Sequence, residues 1–352
     1  MKTERTAMTT RWIAFGAVAL GCVVAAGLYV TSAMKQRSGA SISSGDAPRV
    51  EEPLTALPSA PHTLMRVTSP AGSHGQVALE INGADGVRQV STLRCDRVHA
   101  ARGGAGVGIC LEANRGAITS YHAHLFDRKL GVVATFPAAG EPSRARVSAD
   151  GTLAATTVFV SGHSYSSPGF STRTSIYDVA NRQPIASDLE AFEVVKDGAT
   201  FKHENFNFWG VTFTPDSKGF YATLQSGTKL WLVKGDVRAR RMEVVAPDVE
   251  CPSLSPDGTR VAFKRRTIQQ PEGRLVWRIV VRDLASGAET LLAQEKRSVD
   301  DQVEWIDERR IAYTLPADKP PGASHVWAMN VDGQGEPALW LPLAASPAVV
   351  VR

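Results

Sequence analysis

The sequence predicts an all-β protein: a six-bladed β-propeller preceded by one N-terminal transmembrane helix and a flexible stalk. Three observations carry this. A strand–Asp turn–strand motif returns along the chain, and a second, simpler hairpin returns six times. Beyond about residue 63, no stretch of ten or more residues keeps the 3.6-residue apolar period of a helix. The composition fits a globular chain: of 352 residues, 43% are hydrophobic and 21% charged.

The clearest copy of the motif is Ser255-Pro256-Asp257-Gly258-Thr259-Arg260-Val261-Ala262-Phe263. Looser copies begin at Ser148, Thr214 and Trp305 and centre on Asp150, Asp216 and Asp307. An Asp in such a turn accepts from backbone N–H groups two residues on, and a following Gly takes a positive φ without cost. A hairpin returning at roughly 40–50 residues marks one propeller blade. Residues 97–111 read as a degenerate fifth copy.

Each of these inner hairpins is followed by an outer one. The outer hairpins run 125–133, 175–185, 230–245, 279–292 and 326–341, and residues 77–90 have the same form upstream. Six outer but five inner hairpins leave one inner portion to find. The apolar tail Ala348-Val349-Val350-Val351 supplies it, completing the blade begun by residues 63–93 and so removing an exposed sheet edge.

The N-terminus is of another kind. Residues 12–34 carry no charge, and at about 1.5 Å per residue the apolar part, 12–30, spans roughly 28 Å, the thickness of a bilayer core. Lys2, Arg5 and Arg11 precede it, and Lys35 and Arg37 follow. The expectation is a retained signal-anchor, with 1–11 cytoplasmic and the rest beyond a single-pass cell membrane span. A cleaved signal peptide would have a shorter apolar region. A lipid-bearing Cys22 would be followed by polar residues rather than Val23-Val24-Ala25-Ala26. Residues 35–62, rich in Ser, Gly, Pro and Ala, read as a linker whose removal over 38–58 should leave stability unchanged. The propeller is expected over 63–352.

The repeat resembles that of TolB-like propellers, the WD40-like Pro-Asp family, in its Ser-Pro-Asp-Gly turn followed by an apolar strand. Ser255–Phe263 matches well and the copies at 214, 148 and 305 progressively less. The small α/β domain that precedes the propeller in TolB has no counterpart here. The resemblance implies an extracytoplasmic domain that binds protein partners through its faces, without chemistry of its own.

Net charge is +4 and spread along the chain, with no basic cluster interleaved with aromatics, so nucleic acid is not an expected partner. The loops that lead into the inner strands should converge on one mouth of the central channel. They carry Asp96, Arg97, Glu141, Arg144, Glu204, Glu250, Asp300 and Asp301. A ring of unpaired carboxylates there would suit a hard cation and a metal-dependent hydrolase or lactonase. Paired charges would suit a partner surface, and a ligand-sensing channel is a third possibility.

The expectation is a protein or peptide partner in the cell envelope, with no catalytic residue, metal or cofactor assigned. His122 and His124 alternate on one strand face but lack a third ligand nearby in sequence. Gly162-His163-Ser164-Tyr165-Ser166 approximates a nucleophile elbow, yet Ser167-Pro168-Gly169 follows where a helix is required. Cys95 and Cys110 flank one hairpin and are expected to pair in an oxidising compartment.

Overall fold

The structure, a computed structural model, describes residues 50–70, 72–81, 87–160, 170–269, 271 and 273–351. The charge-free stretch 12–34, Cys22 and residues 162–166 lie outside them. Among the described residues no helix is long and apolar enough to cross a membrane. Apart from one 3₁₀ turn, Leu189–Ala191, the described elements are strands.

Six sheets follow one another along the chain, each ordered inner strand to outer strand. Blade 2 is Arg97–Ala100, Gly108–Arg115, Thr119–Phe126 and Val132–Pro137, and blade 3 is Gly140–Val147, Leu153–Val160, Thr172–Asp178 and Gln183–Ala186. Blade 4 is built on Phe206–Phe213, Gly219–Ser226, Lys229–Asp236 and Arg241–Pro247, and blade 5 on Glu250–Leu254, Arg260–Gln269, Arg274–Asp283 and Glu289–Leu291. Blade 6 is Glu304–Trp305, Arg310–Pro316, Ser324–Asn330 and Ala338–Leu341. Blade 1 takes its inner strand, Ala344–Val350, from the C-terminus, and continues outward through His62–Val67, Gln76–Ile81 and Val87–Arg94. Neighbouring inner strands touch all the way round the ring. This is the all-β six-bladed architecture that the repeat predicts.

The closure is a set of ladder bonds. His62 stands opposite Val350, Thr63 opposite Val349 and Leu64 opposite Ala348, antiparallel. Ala348 and Val350 are buried among Leu64, Val77, Leu79, Val98 and Phe126, where blades 1 and 2 meet. Closing the ring in this way pairs the edge that His62–Val67 would otherwise present.

The Asp turns are held as their composition requires. In the copy at 255, Arg260 N–H donates to Ser255 Oγ at 2.9 Å and Thr259 N–H to Asp257 Oδ1 at 3.0 Å. The copies at 148 and 214 repeat this with Asp150 and Asp216, and Arg309 and Arg310 N–H groups donate to Asp307. Gly151 has φ +78°, and a Cβ there would meet Val107 Cγ2 at 2.7 Å, so the position needs glycine for both backbone and space. At the equivalent place in the third copy Ser217 takes φ +55° without that advantage.

Two features depart from the sequence reading. Residues 50–61 are not part of a free linker. Val50–Pro53 adds a parallel strand outside Val87–Arg94, Leu54 N–H donates to Val90 O, and Leu57 N–H donates to Arg128 O. Leu54 and Leu57 are buried against the junction of blades 1 and 2. The folded domain therefore begins well before residue 63, because two leucines among prolines and serines suffice to anchor the segment. Blade 4 also gains an outer strand, Glu193–Lys196, parallel to Arg241–Pro247, with Ala199–Thr200 beyond it. Phe192 and Val194 bury against Met242 and Phe220 there, using an apolar alternation that the hairpin repeat does not contain.

Candidate functional site

Each inner strand presents alternate side chains toward the axis, and several of these are charged. Arg146 comes from blade 3 and Glu304 from blade 6, which stand opposite one another in a six-membered ring. Their ion pair therefore lies across the axis, both side chains being buried. Blade 2 adds His99, whose Nε2 lies 3.3 Å from Glu304 Oε2, and blade 1 adds Val349 N–H, donating to Glu304 Oε1 at 3.2 Å. Val147 N–H donates to His99 Nδ1 at 3.1 Å, and Arg146 Nη1 stands 3.0 Å from His99 Nε2.

Burial pushes the Glu304 carboxyl up, but the Arg146 guanidinium and His99 outweigh it and hold the group at about 2. His99 is held below its ordinary value by burial and by Arg146, against the pull of Glu304. Nearby, Gln302 Nε2 donates to Val211 O at 3.0 Å and Pro252 O at 2.8 Å, tying blade 6 to blades 4 and 5.

These groups plug the channel. One flanking cavity, lined by His99, Arg146, Ser253, Glu304 and Trp305, holds about 70 Å³. The other, lined by Arg97, Ser143, Arg144, Asp301 and Gln302, holds about 30 Å³. Each has room for at least one water, which needs roughly 10–15 Å³ of such space.

The mouth carboxylates are mostly engaged. Arg115 spans Asp96, at 3.0 Å, and Glu141. Asp96 also accepts from Ala113 N–H. Glu250 is fully buried beside Lys264 Nζ at 3.1 Å, and accepts from Arg266 Nε at 3.0 Å and Trp277 Nε1 at 3.1 Å. Lys264, its register partner on the next strand, also binds Asp300, which lies 3.6 Å from Arg144. Burial acts to lower Lys264, but Cys251, Glu250 and Asp300 overcome it and the ammonium is held above its ordinary value. Asp300 is correspondingly held low: burial opposes this, and Lys264 and Arg144 prevail.

Asp301 is a backbone acceptor, taking Gln302 and Thr314 N–H groups at 2.9 Å. Arg97 lines the smaller cavity. Glu204 does not join this set. It is exposed and lines a groove with Phe192, Thr200 and His203 on the added outer strands of blade 4. Cys95 and Cys110 form a disulfide with Cα atoms 5.4 Å apart, and Cys251 is a buried free thiol.

Comparison with solved structures places the architecture. TolB from Acinetobacter baumannii aligns with 15% identity over 83% of this chain and 67% of that one, at TM-score 0.55. The fold is TolB-like. A chain of a nidogen/laminin complex aligns with 12% identity over 83% of this chain and 99% of its own, at TM-score 0.50. A periplasmic gluconolactonase of Pseudomonas aeruginosa aligns with 15% identity over 83% and 99%, at TM-score 0.45. At such identities the likeness is one of fold alone. No protein-family model matches the sequence, and no curated protein is significantly similar to it.

In the TolB-like ring the residues that close the axis are ones the loop-based reading passes over: His99, Arg146 and Glu304. A signal for His99 and Arg146 exists. Arg97 and His99, and Arg144 and Arg146, sit at alternate positions of inner strands, and a charge at every second residue of a strand marks one polar face. That face looks onto the channel.

Proposed function

We propose that this chain is a membrane-anchored, extracytoplasmic propeller that acts as a protein-binding module of the cell envelope, and that the mouth bearing the paired carboxylates is its recognition face. The observation that carries the reading is the closed axis. With Arg146 and Glu304 paired across it, the axis is blocked part-way along. With Asp96, Glu141, Glu250 and Asp300 already bound by arginine and lysine, no open acidic ring remains among them to hold a catalytic cation.

Apolar side chains rise from the same face. The turns between second and third strands share the side on which the inner strands begin. There Ile118 is 88% exposed on blade 2, and Ile268 and Leu275, register partners, are 62% and 49% exposed on the long hairpin of blade 5. Exposed aliphatics around a charged floor are the makings of a protein interface. The disulfide suits an oxidising compartment, and the charge-free stretch 12–34 suits an anchor.

Photo-crosslinking in intact cells tests this, with the probe at Ile118, Ile268 or Leu275 and, as the opposite face, at Asp216 or Asp307. Discrete protein adducts at the first three positions and none at the last two are expected. Equal labelling of both faces, or none at the mouth, would overturn the assignment of the face. A C-terminal tag resistant to protease in spheroplasts would overturn the topology. A stoichiometric cation lost in both Glu250→Gln and Asp300→Asn would instead favour a metal-dependent enzyme.

A further inference from the structure

Blade 2 assembles a cluster that spacing along the sequence leaves incomplete. His122 and His124 share one face of the strand Thr119–Phe126, and Glu112 is the register partner of His122 on the neighbouring strand. Ligand atoms of the three lie within 4.8 Å of one another. His124 Nε2 stands 3.1 Å from Glu112 Oε2, and the two imidazoles are stacked with centroids 5.7 Å apart. Two ligands on one tetrahedral ion, with bonds of about 2.0–2.1 Å, stand about 3.3 Å apart, so the His124–Glu112 pair is already at chelating distance.

The ring of His124 is also fixed from behind. Its Nδ1 lies 2.9 Å from Thr135 Oγ1, on the next strand outward. With Nδ1–H donated to that hydroxyl, the Nε2 lone pair faces the carboxylate. Two acceptors then stand 3.1 Å apart, and a cation between them satisfies both. A hydrogen bond to the far nitrogen is the usual support for a metal-ligating histidine. The His124 side chain is 14% exposed and that of Glu112 35%, so the cluster is embedded in the sheet but open on one side.

We propose that Glu112, His122 and His124 form a binding site for a transition-metal dication of the Zn²⁺ type, with a fourth coordination position left open. Two imidazoles and one carboxylate suit Zn²⁺ and its neighbours, whereas Ca²⁺ and Mg²⁺ prefer oxygen alone. The site is separate from the mouth carboxylates, whose partners are arginine and lysine.

The test is a Zn²⁺ titration of the full-length chain, purified without a histidine tag and stripped with chelator, against a chromophoric competitor. One Zn²⁺ per chain is expected, undisturbed by excess Ca²⁺. His122→Ala and His124→Ala should lose the site. Glu112→Gln should weaken it at least about tenfold, and Thr135→Val, which touches no ion, about 10–100-fold. Loading with Co²⁺ should give the visible d–d bands of a tetrahedral nitrogen–oxygen field, absent from His122→Ala. Melting temperatures of the metal-free variants control for folding, and the half-exposed Glu112→Gln is the variant least able to disturb it. No stoichiometric binding, or binding unchanged in Glu112→Gln and His122→Ala, would overturn the site and leave only a His–Glu ion pair. Loss in Glu250→Gln instead would overturn it equally.

Discussion

Glu304→Gln is the sharpest perturbation of the closed axis, since it removes a charge and keeps the shape. Glu304 meets Arg146 from the opposite blade, His99 from blade 2 and Val349 N–H from blade 1. The substitution leaves the Arg146 guanidinium buried without its counter-charge, which typically costs about 3–5 kcal/mol. The ionisation of Glu304 gives a second route to the magnitude. Its carboxyl is held at about 2 against an ordinary 4.5, and a depression of that size, at about 1.36 kcal/mol per unit, is about 3 kcal/mol. The two agree.

The sign with pH follows. A carboxyl depressed in the folded state takes up its proton first in the unfolded chain, so the contribution is complete above about pH 4.5 and drains away as pH falls toward about 2. Urea melts of both proteins at pH 7, 5 and 3 read it directly. The gap should be several kcal/mol at pH 7 and shrink at pH 3. Replacing both partners, Arg146→Met with Glu304→Leu, should recover most of the loss, because no buried charge is then left alone. A Glu304→Gln protein within about 0.5 kcal/mol of the parent at pH 7, the scatter of a neutral surface change, would refute the cross-axis pair. A gap unchanged down to pH 3 would refute the ionisation argument.

Removing residues 347–352 should lower the melting temperature sharply or leave the chain insoluble. It deletes buried Val349 and Val350, worth about 1.5 kcal/mol or more each, along with the ladder to His62–Leu64. Deleting residues 50–58 should destabilise by several kcal/mol through Leu54 and Leu57, at about 1.5–3 kcal/mol apiece, whereas deleting 38–47 should change little by the same melt. Ser217→Gly should stabilise by about 1 kcal/mol by relieving a left-handed backbone, while Gly151→Ser in the equivalent turn should destabilise, and paired denaturant curves compare them. Replacing Cys95 and Cys110 by serine opens a loop of 15 residues and should cost about 3 kcal/mol, read as a lower urea midpoint.

The architecture was legible because propeller blades write themselves locally. Each Asp turn is a five- or six-residue pattern whose side chains bond their own backbone, so Ser255, Asp257 and Gly258 carry their geometry with them. The strap formed by Ala344–Val350 was legible by elimination, since an apolar tail and an unpaired blade need one another. The segment 50–61 was not, because its two anchoring leucines are set among prolines and serines in a pattern shared with true linkers. The axis is not legible for a different reason. Arg146 and Glu304 are 158 residues apart in sequence, and nothing local says that they face each other. Only the count of six blades, which sets blade 3 against blade 6, makes them neighbours. Glu250 and Lys264, by contrast, are register partners across one hairpin, so their pairing is local in sequence.

That same count bears on function. In this ring Arg146 and Glu304, from opposite inner strands, reach each other and neutralise one another across the axis. At the mouth, Asp96, Glu141, Glu250 and Asp300 are likewise held in ion pairs. Asp300, for example, is held by Lys264 from blade 5 and faces Arg144 from blade 3. The Glu112–His122–His124 face lies apart from these paired groups. Recognition needs no bore. The hairpin tips carrying Ile118 and Ile268 stand on blades 2 and 5, opposite sides of the same mouth, and a partner that touched both would cover the plugged axis between them.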